Sequence, residues 1–498
     1  MCDAAMYGQG AAAGNSGKSK IEGSNNNESP GKVSIIGDLK KFIEFMYIKN
    51  VPSYGNSFFY SLGFLLITCF VVLAITGITM VIFGPLWWDT TSIGILFKSI
   101  HFWAAEAFFT LLILHLFVVF STSAFRSNKV PWLIGSVILM LVMLEAAFGL
   151  GLTGSFVAQW NSLSGADLWN GTGFGFWINP LNYGALYGWH IAAIPLLLVV
   201  LILTHYMLVK IKGVSKPYRK DILFSVVEAD HKKMYMRASV VVLLILVFAF
   251  LFRVPYTPPM TIKNVALTNS SVLAATFVQE LNHSSGTATY LDTIDPYTFN
   301  TSQVYVVGPY YKYLNISGGV NEYAAFSAQN TTLQSAEIDS AYNYFNGGGS
   351  INTTNTSNPV VPMVSALVIM AKSGTYGSVL NSEQSSQFDQ TYSLRLLSDT
   401  GLMDEQATIY GLQPDQWGLV KLSSSLWPPG TWWVAPYNII EIIFPNGTDL
   451  QDASMALIAF IFFLLFPFIP YVNEIPDKLK LYKIFWNRFT TPEMRKKK

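Results

Sequence analysis

The chain has few charged residues and almost no cysteine. Only 12% of its 498 residues are charged and 51% are hydrophobic, whereas soluble proteins average roughly 25% charged residues. This shortage of charge excludes a purely soluble enzyme. The two cysteines, Cys2 and Cys69, form neither a CxxC nor a CxxCH motif, which excludes a disulfide scaffold, thiol-attached haem and a cysteine-bound cluster. Any metal must therefore be bound by histidine or by a carboxylate.

An excess of basic charge is also missing. The chain has 31 basic and 30 acidic residues, so it lacks the concentrated basic face that a nucleic-acid partner needs. We find no internal repeat, and the first residues do not have the pattern of a secretory signal peptide. The apolar residues are instead gathered into long runs, which indicate a lipid bilayer as the surrounding medium.

Apolar runs of about 20 residues can cross a hydrocarbon layer of about 30 Å as a helix. The sequence predicts six such transmembrane helices, which we name A to F. They span Phe58–Phe83, His101–Phe120, Trp132–Leu152, Trp189–Val209, Ala238–Phe252 and Ala453–Val472. Helix E is short, and we expect Tyr235 and Arg237, snorkelling to the interface, to extend it. A further run, Val360–Ala371, is too short and too interrupted by proline to span.

The basic residues are distributed unevenly between the loops. Of the 31, 24 lie in the N-terminal tail, the B–C loop, the D–E loop and the C-terminal tail, and such loops stay cytoplasmic. This predicts a multi-pass plasma-membrane protein with both termini cytoplasmic and residues 255–451 outside. Acceptor tripeptides for N-glycosylation also lie in the predicted outer loops, at Asn170, Asn269, Asn282, Asn300, Asn315, Asn330, Asn352, Asn355 and Asn446.

Composition divides the chain further. Residues 1–32 are rich in Gly, Ser and Asn, which predicts a disordered cytoplasmic tail, and residues 33–55 predict an interfacial helix. Residues 255–430 are polar and aromatic, and they predict an inserted outer domain with strands such as Gln303–Val307. The other divisions are 56–254 for helices A to E, 431–475 for an outer segment and helix F, and 476–498 for a basic cytoplasmic tail.

Four of the six histidines lie on helices B and D. His101 and His115 on B are 14 residues apart, and His190 and His205 on D are 15 apart, or about 21 Å along an α-helix. Polar rings in hydrocarbon are costly and are kept for a purpose. Since B and D run in the same direction, His101 faces His190 near the outer surface and His115 faces His205 near the inner surface. This arrangement predicts two stacked haems, each bound by two imidazoles.

Two glycine pairs repeat the histidine spacing. Gly63 and Gly77 on helix A, and Gly135 and Gly149 on helix C, are each 14 residues apart. Helix packing in membranes alone would explain one such pair, but two pairs with this spacing favour a flat macrocycle lying against the backbone. The predicted fold is an all-α polytopic membrane protein with a four-helix, two-haem bundle among its six transmembrane helices. The inserted extracytoplasmic domain is expected to be rich in β structure.

With these residues in view, the sequence resembles the cytochrome b family of the Rieske/cytochrome b complexes, which oxidise quinol in respiration and photosynthesis. The resemblance is close over about residues 50–223 and looser over 427–490. Helix A, from Phe59-Tyr-Ser-Leu-Gly63 to Thr76-Gly77, looks like the chloroplast-type protein. That subfamily attaches an extra haem through a cysteine at the position of Ser61, so this chain is expected to lack that haem.

The resemblance implies a subunit that passes electrons from a quinol through an outer and then an inner haem to a second quinone. We expect haems of the b type, with the a type as the alternative, because both share bis-histidine ligation. The implied partners are a Rieske iron-sulfur protein, which takes the other electron outside, and a further cytochrome or oxidase subunits. The reaction would be coupled to proton translocation.

The chain departs from the family at the outer quinol site. The family's Pro-Glu-Trp-Tyr motif looks like Gly430-Thr431-Trp432-Trp433 here, followed by Pro436 in register. Trp432, Trp433 and Pro436 are therefore expected to line the quinol site. The glutamate that would accept a proton there is missing.

Several titratable residues lie near the predicted haems along the membrane helices. We predict that Glu145 on helix C, with Glu106 on helix B second, replaces the missing glutamate as proton acceptor; a protonated structural acid is the alternative. Lys98 lies one turn before His101 and is expected to pair with a haem propionate or to snorkel outward. Lys210 and Asp221 border the inner haem, where they could hydrogen-bond a quinone and supply a proton. A solvated loop charge is the alternative for Lys210, and the family resemblance supports Asp221.

Two other functions stay open at this point. A two-haem membrane anchor of another dehydrogenase or ferric reductase would be favoured by a fused flavin or nicotinamide domain, but no glycine-rich dinucleotide fingerprint is present. A non-redox, glycosylated surface receptor predicts a chain without haem and leaves the histidine spacing unexplained.

Overall fold

A computed structural model of the chain describes residues 49–212, 225–254, 256–290, 299–354, 357–384, 388–412 and 449–486. The described chain is almost entirely helical. Its one sheet consists of two short antiparallel strands, Asn50–Pro52 and Val226–Glu228, in which Asn50 lies opposite Glu228. The all-α prediction is confirmed. The tail 1–32 and most of the interfacial helix 33–55 lie outside the described residues.

Five helices are long and apolar enough to cross a membrane, and they match predicted helices A to E. They span Leu62–Thr90, Ser92–Ser121, Lys129–Gly151, Tyr183–Lys212 and His231–Leu251. Helices A and B pack together, as do C and D, and helix E packs against A and B. B and D meet through their histidine side chains. This pairing positions the candidate site between A/B and C/D.

Helix A breaks near its C-terminal end. Gly84 has φ +78° and ψ 171°, which glycine tolerates because it has no Cβ, and the next residue is Pro85, which cannot donate a helical hydrogen bond. The regular part of the helix therefore ends near Phe83, where the sequence predicted the span to end. The side chain of Thr91 accepts a hydrogen bond from the backbone N–H of Gly94, at 3.0 Å, and so caps helix B.

Helix E is longer than predicted, and Arg237 has another role. The helix begins at His231, where the side chain of Asp230 accepts a hydrogen bond from the backbone N–H of Lys233 at 3.0 Å. The guanidinium of Arg237 donates to the carbonyls of Asn56 and Ser57 and to Ser61 Oγ, each at 3.1 Å. These bonds join helix E to the segment before helix A, and the snorkelling of Arg237 to the interface stays a prediction.

Helix F is bent rather than straight. An apolar helix, Asp449–Leu465, continues into a short turn at Phe466–Phe468, and the chain then turns by 68° into Val472–Phe485. Proline at 467 and 470 explains the bend, because proline cannot continue the helical hydrogen bonds. The indole of Trp132 on helix C donates to the carbonyl of Phe463 at 3.1 Å, which holds the two helices together.

We use the name E–F domain for the described residues between helices E and F. These residues are α-helical, so the prediction of β structure is wrong for them. The elements of this domain are Ile262–Thr268, Ser270–Leu281, Gly286–Thr289, Ser302–Val307, Gly308–Ser317, Glu322–Ser327, Thr331–Asn346, Val360–Ser373, Thr375–Ser382, Thr391–Asp399 and Leu402–Tyr410. The predicted strand Gln303–Val307 lies in a π-helical turn, Ser302–Val307. Its valines and tyrosine favour strands only where a pleated partner exists, whereas here they pack into a helical core.

The E–F domain shares its core with the C–D connection. The helix Val360–Ser373 is buried on nearly every face, as expected for a helix that is apolar all round. Phe156, Leu163 and Leu181 from the C–D connection belong to the same hydrophobic cluster. The side chain of Gln159 makes two hydrogen bonds with the backbone of Met260, each at 2.8 Å. The domain is therefore built on the connection that precedes helix D.

Two buried carboxyl groups face each other in the E–F domain. Glu280 is fully buried, and it lies close enough to Asp399 for the charges of the two groups to interact. Ser285 Oγ donates to Glu280 Oε2 at 2.7 Å, and the N–H of Thr287 donates to Asp399 Oδ1 at 2.9 Å. Two neighbouring buried carboxylates repel each other, so the pair is expected to keep one proton. Burial, and then the charge of Asp399, raise the pKa of Glu280 to about 9.

This pair predicts that the domain loses stability as the pH rises. The pKa of Glu280 is about 9 when folded and 4.5 at its ordinary value, so the folded state keeps the proton that the unfolded state releases, and stability falls across this range. Glu280→Gln mimics the protonated acid. We expect it to flatten the decline of the thermal midpoint between pH 5 and 9, measured by circular dichroism on the intact protein in detergent. Glu405→Gln, which removes an exposed carboxyl, is the control; equal slopes for wild type and Glu280→Gln would contradict the shared proton.

A second charged contact joins the B–C loop to the segment after helix F. Arg126 Nη1 lies 2.6 Å from Asp477 Oδ2, and Ser123 Oγ donates to Asp477 Oδ1 at 2.8 Å. The side chains of Arg126 and Asp477 are only 14% and 22% exposed. Removing Asp477 would leave both donors without this acceptor in a poorly solvated place.

We therefore expect Asp477→Ala to destabilise the protein by about 1–3 kcal/mol, because poorly solvated donors lose a hydrogen-bond acceptor. The measurement is the midpoint of thermal unfolding in detergent. Lys478→Ala is the matched control, because Lys478 is 60% exposed and its ion pair with Glu474 lies at the surface, where such pairs contribute little. Equal effects of the two changes would contradict a structural role for Asp477.

Candidate functional site

The four histidines form two pairs between helices B and D. The ring centroids of His101 and His190 are 6.1 Å apart, with their planes at 76°. His115 and His205, further along the same helices, are close enough for their charges to interact. All four rings are partly buried. The spacing of the sequence thus brings together the pairs it predicted.

A π-helical turn on helix D brings His190 into line with His205. Fifteen residues overshoot a whole number of α-helical turns by about 60°. Residues Trp189–Ala193 form a π turn, which takes up one extra residue within a helix. Pro195 follows directly and cannot donate to the carbonyl of Ile191. The adjustment that a 15-residue spacing requires is therefore present, and it lies at the histidine itself.

Gly149 on helix C lies against the ring of His190. A Cβ placed on Gly149 would come within 2.5 Å of Cε1 and 3.1 Å of Nδ1 and Nε2 of that ring. Real Cβ atoms do not approach other atoms so closely, so any other residue would displace the imidazole. Only glycine permits this contact between helices C and D.

The other predicted glycines are placed less tightly. A Cβ on Gly77 would lie 3.4 Å from His101 Cε1, and a Cβ on Gly135 would lie 3.4 Å from His205 Cε1. These are ordinary contact distances. A Cβ on Gly63 would meet no atom within 4 Å. Three of the four glycines therefore flank histidine rings, and the fourth faces open space.

The Nδ1 atoms of the first pair have defined partners. His101 Nδ1 lies 2.9 Å from Thr76 Oγ1, whose hydroxyl donates to the carbonyl of Val72 at 2.7 Å, so the ring is the donor. His190 Nδ1 lies 3.0 Å from the backbone carbonyl of Glu145 and 3.1 Å from its carboxylate Oε1. With Nδ1 protonated, the Nε2 atom of each ring keeps a lone pair that can bind a metal. Two such neutral imidazoles form the donor set that bis-histidine haem requires, so these residues fit the group.

The two predicted proton acceptors lie in different places. Glu145 contacts His190, as described above. Glu106 is buried and lines a cavity of about 240 Å³ between helices B and E, together with Trp103 and Phe248. Because it faces helix E, Glu106 does not join Glu145 beside the histidine pair.

The predicted lysines lie near the ends of the bundle. Lys98 Nζ forms an ion pair with Asp89 Oδ1 at 2.7 Å and lies 4.4 Å from the centroid of the Trp88 ring. Lys210 lies in the last turn of helix D, five residues after His205. The predicted site residues Asp221, Trp432, Trp433 and Pro436 lie outside the described residues.

Sequence reasoning missed two partners. Thr76 was noted only as part of a motif, yet it binds the ring of His101; its position directly before Gly77, which flanks the same ring, was the available signal. Asp89, the partner of Lys98, lies at the C-terminal end of helix A, where nothing in the sequence pattern connects it to a lysine nine residues later.

Comparison with known proteins shows that part of the chain is similar to one family. A family model described as cytochrome b(N-terminal)/b6/petB matches residues 106–265, which include most of helix B and all of helices C to E. Cytochrome b6 of Heliomicrobium gestii is 25% identical over 190 residues, covering 34% of this chain and 89% of that protein. Cytochrome b6 of Chlamydomonas reinhardtii is 28% identical over 193 residues, again covering 34% and 89%.

Two further similarities cover different shares of the chain. A cytochrome bc complex cytochrome b subunit of Chlorobaculum thiosulfatiphilum is 27% identical over 207 residues, which are 36% of this chain and 47% of that protein. Among solved structures, a chain of "Hyperthermophilic respiratory Complex III" aligns with 74% of this chain and 98% of its own length, at 15% identity and a TM-score of 0.36; this last similarity is too weak to support a conclusion. Over residues 106–265 this membrane protein is thus similar to the cytochrome b family of the bc-type complexes.

Proposed function

We propose that the chain is the di-haem cytochrome b subunit of a quinol-oxidising membrane complex, and that its electron transfer is coupled to proton translocation. The observation that carries the proposal is the pairing of histidines between helices B and D, with glycines of helices A and C against three of the rings. This arrangement combines two imidazole donors with backbone that a flat macrocycle can approach.

Each haem would be held by one histidine from each helix. His101 and His190 would hold the first, and His115 and His205 the second. When bound, each bis-histidine haem supplies a site that accepts and releases one electron. The b type is the expected variant, with the a type as the alternative.

The remaining residues would orient these ligands and serve the substrate. Gly149 and Gly77 let helices C and A approach the first pair, and Thr76 holds the ring of His101. Lys98 would pair with a propionate when it is not bound to Asp89. Gly63 and Gly135 would leave room beside the second pair.

The proton-transfer roles follow from where the acids and lysines lie along the helices. Glu145 would accept a proton from quinol on the side of the first pair, with Glu106 second, and Trp432, Trp433 and Pro436 would line that quinol site. On the side of the second pair, Lys210 and Asp221 would bind a quinone and supply its proton. These proton-transfer roles are inferred from the sequence. In the structure, Glu145 contacts His190 and Glu106 faces helix E.

A complete reaction needs other subunits. The chain has two cysteines and no ligand set for an iron-sulfur cluster, so a Rieske protein would take the second electron, with a further cytochrome or oxidase subunits beyond it. The related protein of Chlorobaculum thiosulfatiphilum is described as a subunit of a cytochrome bc complex, which supports such an assembly. From the distribution of basic residues we expect both termini in the cytoplasm and the E–F domain outside.

The first prediction from this proposal concerns haem content. A dithionite-reduced minus oxidised spectrum of the purified protein, with the extracted pigment quantified, is expected to give two low-spin haems per chain. His101→Ala and His205→Ala should each lose one of them, because each removes one axial ligand. Lys372→Ala in the E–F domain controls for expression and purification. A colourless wild-type protein would refute the proposal.

The second prediction uses the close contact at Gly149. Gly149→Ala places a Cβ 2.5 Å from the ring of His190, so the imidazole must move, and we expect at most one haem per chain to be retained. Gly165→Ala is the matched control, because a Cβ there would lie at an ordinary 3.6 Å from Pro180. Two haems with an unchanged spectrum in Gly149→Ala would show that the ring is not held as described.

A further inference from the structure

We propose that Glu145 is a positioning residue for His190, and that its carboxylate lowers the reduction potential of the iron that His190 would bind. This inference rests on the proposed function, because it concerns a haem ligand. It differs from the proton-acceptor role given to Glu145 above, since it acts through the imidazole rather than on quinol.

The contact is made by one residue with two acceptors. The backbone carbonyl of Glu145 and its Oε1 lie 3.0 and 3.1 Å from the same atom, His190 Nδ1. In this arrangement Nε2, not Nδ1, would bind the metal. The carboxylate therefore contacts the nitrogen that would not bind it. Glu145 can therefore orient the ring and fix its tautomer without occupying the coordination site.

Helix C holds the ring at two successive turns. Glu145 and Gly149 are four residues apart and so lie on the same face of the helix. Glu145 contacts Nδ1, and Gly149 lies directly against Cε1 and Nε2. The side chains of His190 and Glu145 are 20% and 18% exposed, so little water competes for the hydrogen bond. An acid at this depth of a membrane helix is costly, and this partner offsets the cost.

The other ligands are treated differently. His101 Nδ1 donates to the neutral hydroxyl of Thr76. Among the described residues, His190 is the one of the four histidines whose ring contacts a carboxylate. The protein environment is therefore asymmetric, both within the first pair and between the two pairs.

A carboxylate acceptor strengthens an imidazole ligand. Hydrogen bonding from the non-coordinating nitrogen to a carboxylate raises the basicity of the ligand, and a stronger donor favours the oxidised, more positively charged iron. Hydrogen bonding around the ligands is one of the means by which a protein sets such a potential. The potential at the first pair would accordingly be lowered relative to that at the second pair, which favours electron flow from the first to the second.

The test is a redox titration of the purified full chain, followed by optical absorbance at fixed pH. In Glu145→Gln, whose amide is a weaker acceptor of similar shape, we expect one of the two midpoint potentials to rise and the other to stay unchanged. Glu145→Ala should raise the same potential further, or lose that haem. The low-spin electron paramagnetic resonance signal of the same haem should shift, because it reports the donor strength of the axial imidazole.

Thr76→Val is the matched control at the opposite ligand. It removes a neutral hydrogen bond to His101, and its effect on the same potential should be smaller than that of Glu145→Gln. Two haems with unchanged potentials and signals in both Glu145 variants would overturn the inference and leave the proposed function intact. A wild-type protein without haem would instead overturn the proposed function.

Discussion

The structure depends on holding polar imidazole rings inside an apolar helical bundle. A ring in hydrocarbon must have its nitrogen atoms satisfied, and here the neighbouring helices provide both space and partners. Helix C approaches His190 closely only because residue 149 is glycine, and it supplies two oxygens of Glu145 to the same ring. Helix A does the same for His101 with Gly77 and Thr76. Helices A and C therefore hold the first histidine pair from both sides.

The E–F domain is connected to this bundle at the start of helix D. The N–H of Gln390 donates to the carbonyl of Leu181 at 2.9 Å, and the N–H of Tyr183 donates to the carbonyl of Phe388 at 3.0 Å. Tyr183 is the first residue of helix D, and His190 lies seven residues further on. A domain of helices that lies almost entirely after the matched family region thus anchors the helix that carries two of the four histidines. The same connection supplies Phe156 and neighbouring residues to the core of the domain.

Several charged residues in the described part of the chain join elements that are far apart in sequence. Arg126 joins the B–C loop to Asp477, and Arg395 of the E–F domain contacts Asp167 in the C–D connection. Glu280 pairs with Asp399 between two helices of the domain. Because each of these groups is largely removed from water, its partner matters more than it would at an exposed surface. The chain thus has few charged residues, and these examples each connect two particular elements of the fold.

Local sequence properties determined the membrane helices and the histidine pairs. Hydropathy and helical periodicity place His101, His115, His190 and His205 without reference to any distant residue, and the 15-residue spacing on helix D already required a distortion. Tertiary packing alone decided the rest. It made Gln303–Val307 helical despite its β-branched residues, turned Glu106 toward helix E, and brought Thr76 and Glu145 to their rings. Spacing along a chain specifies the face of a helix, but which neighbour that face meets depends on how all the helices pack together.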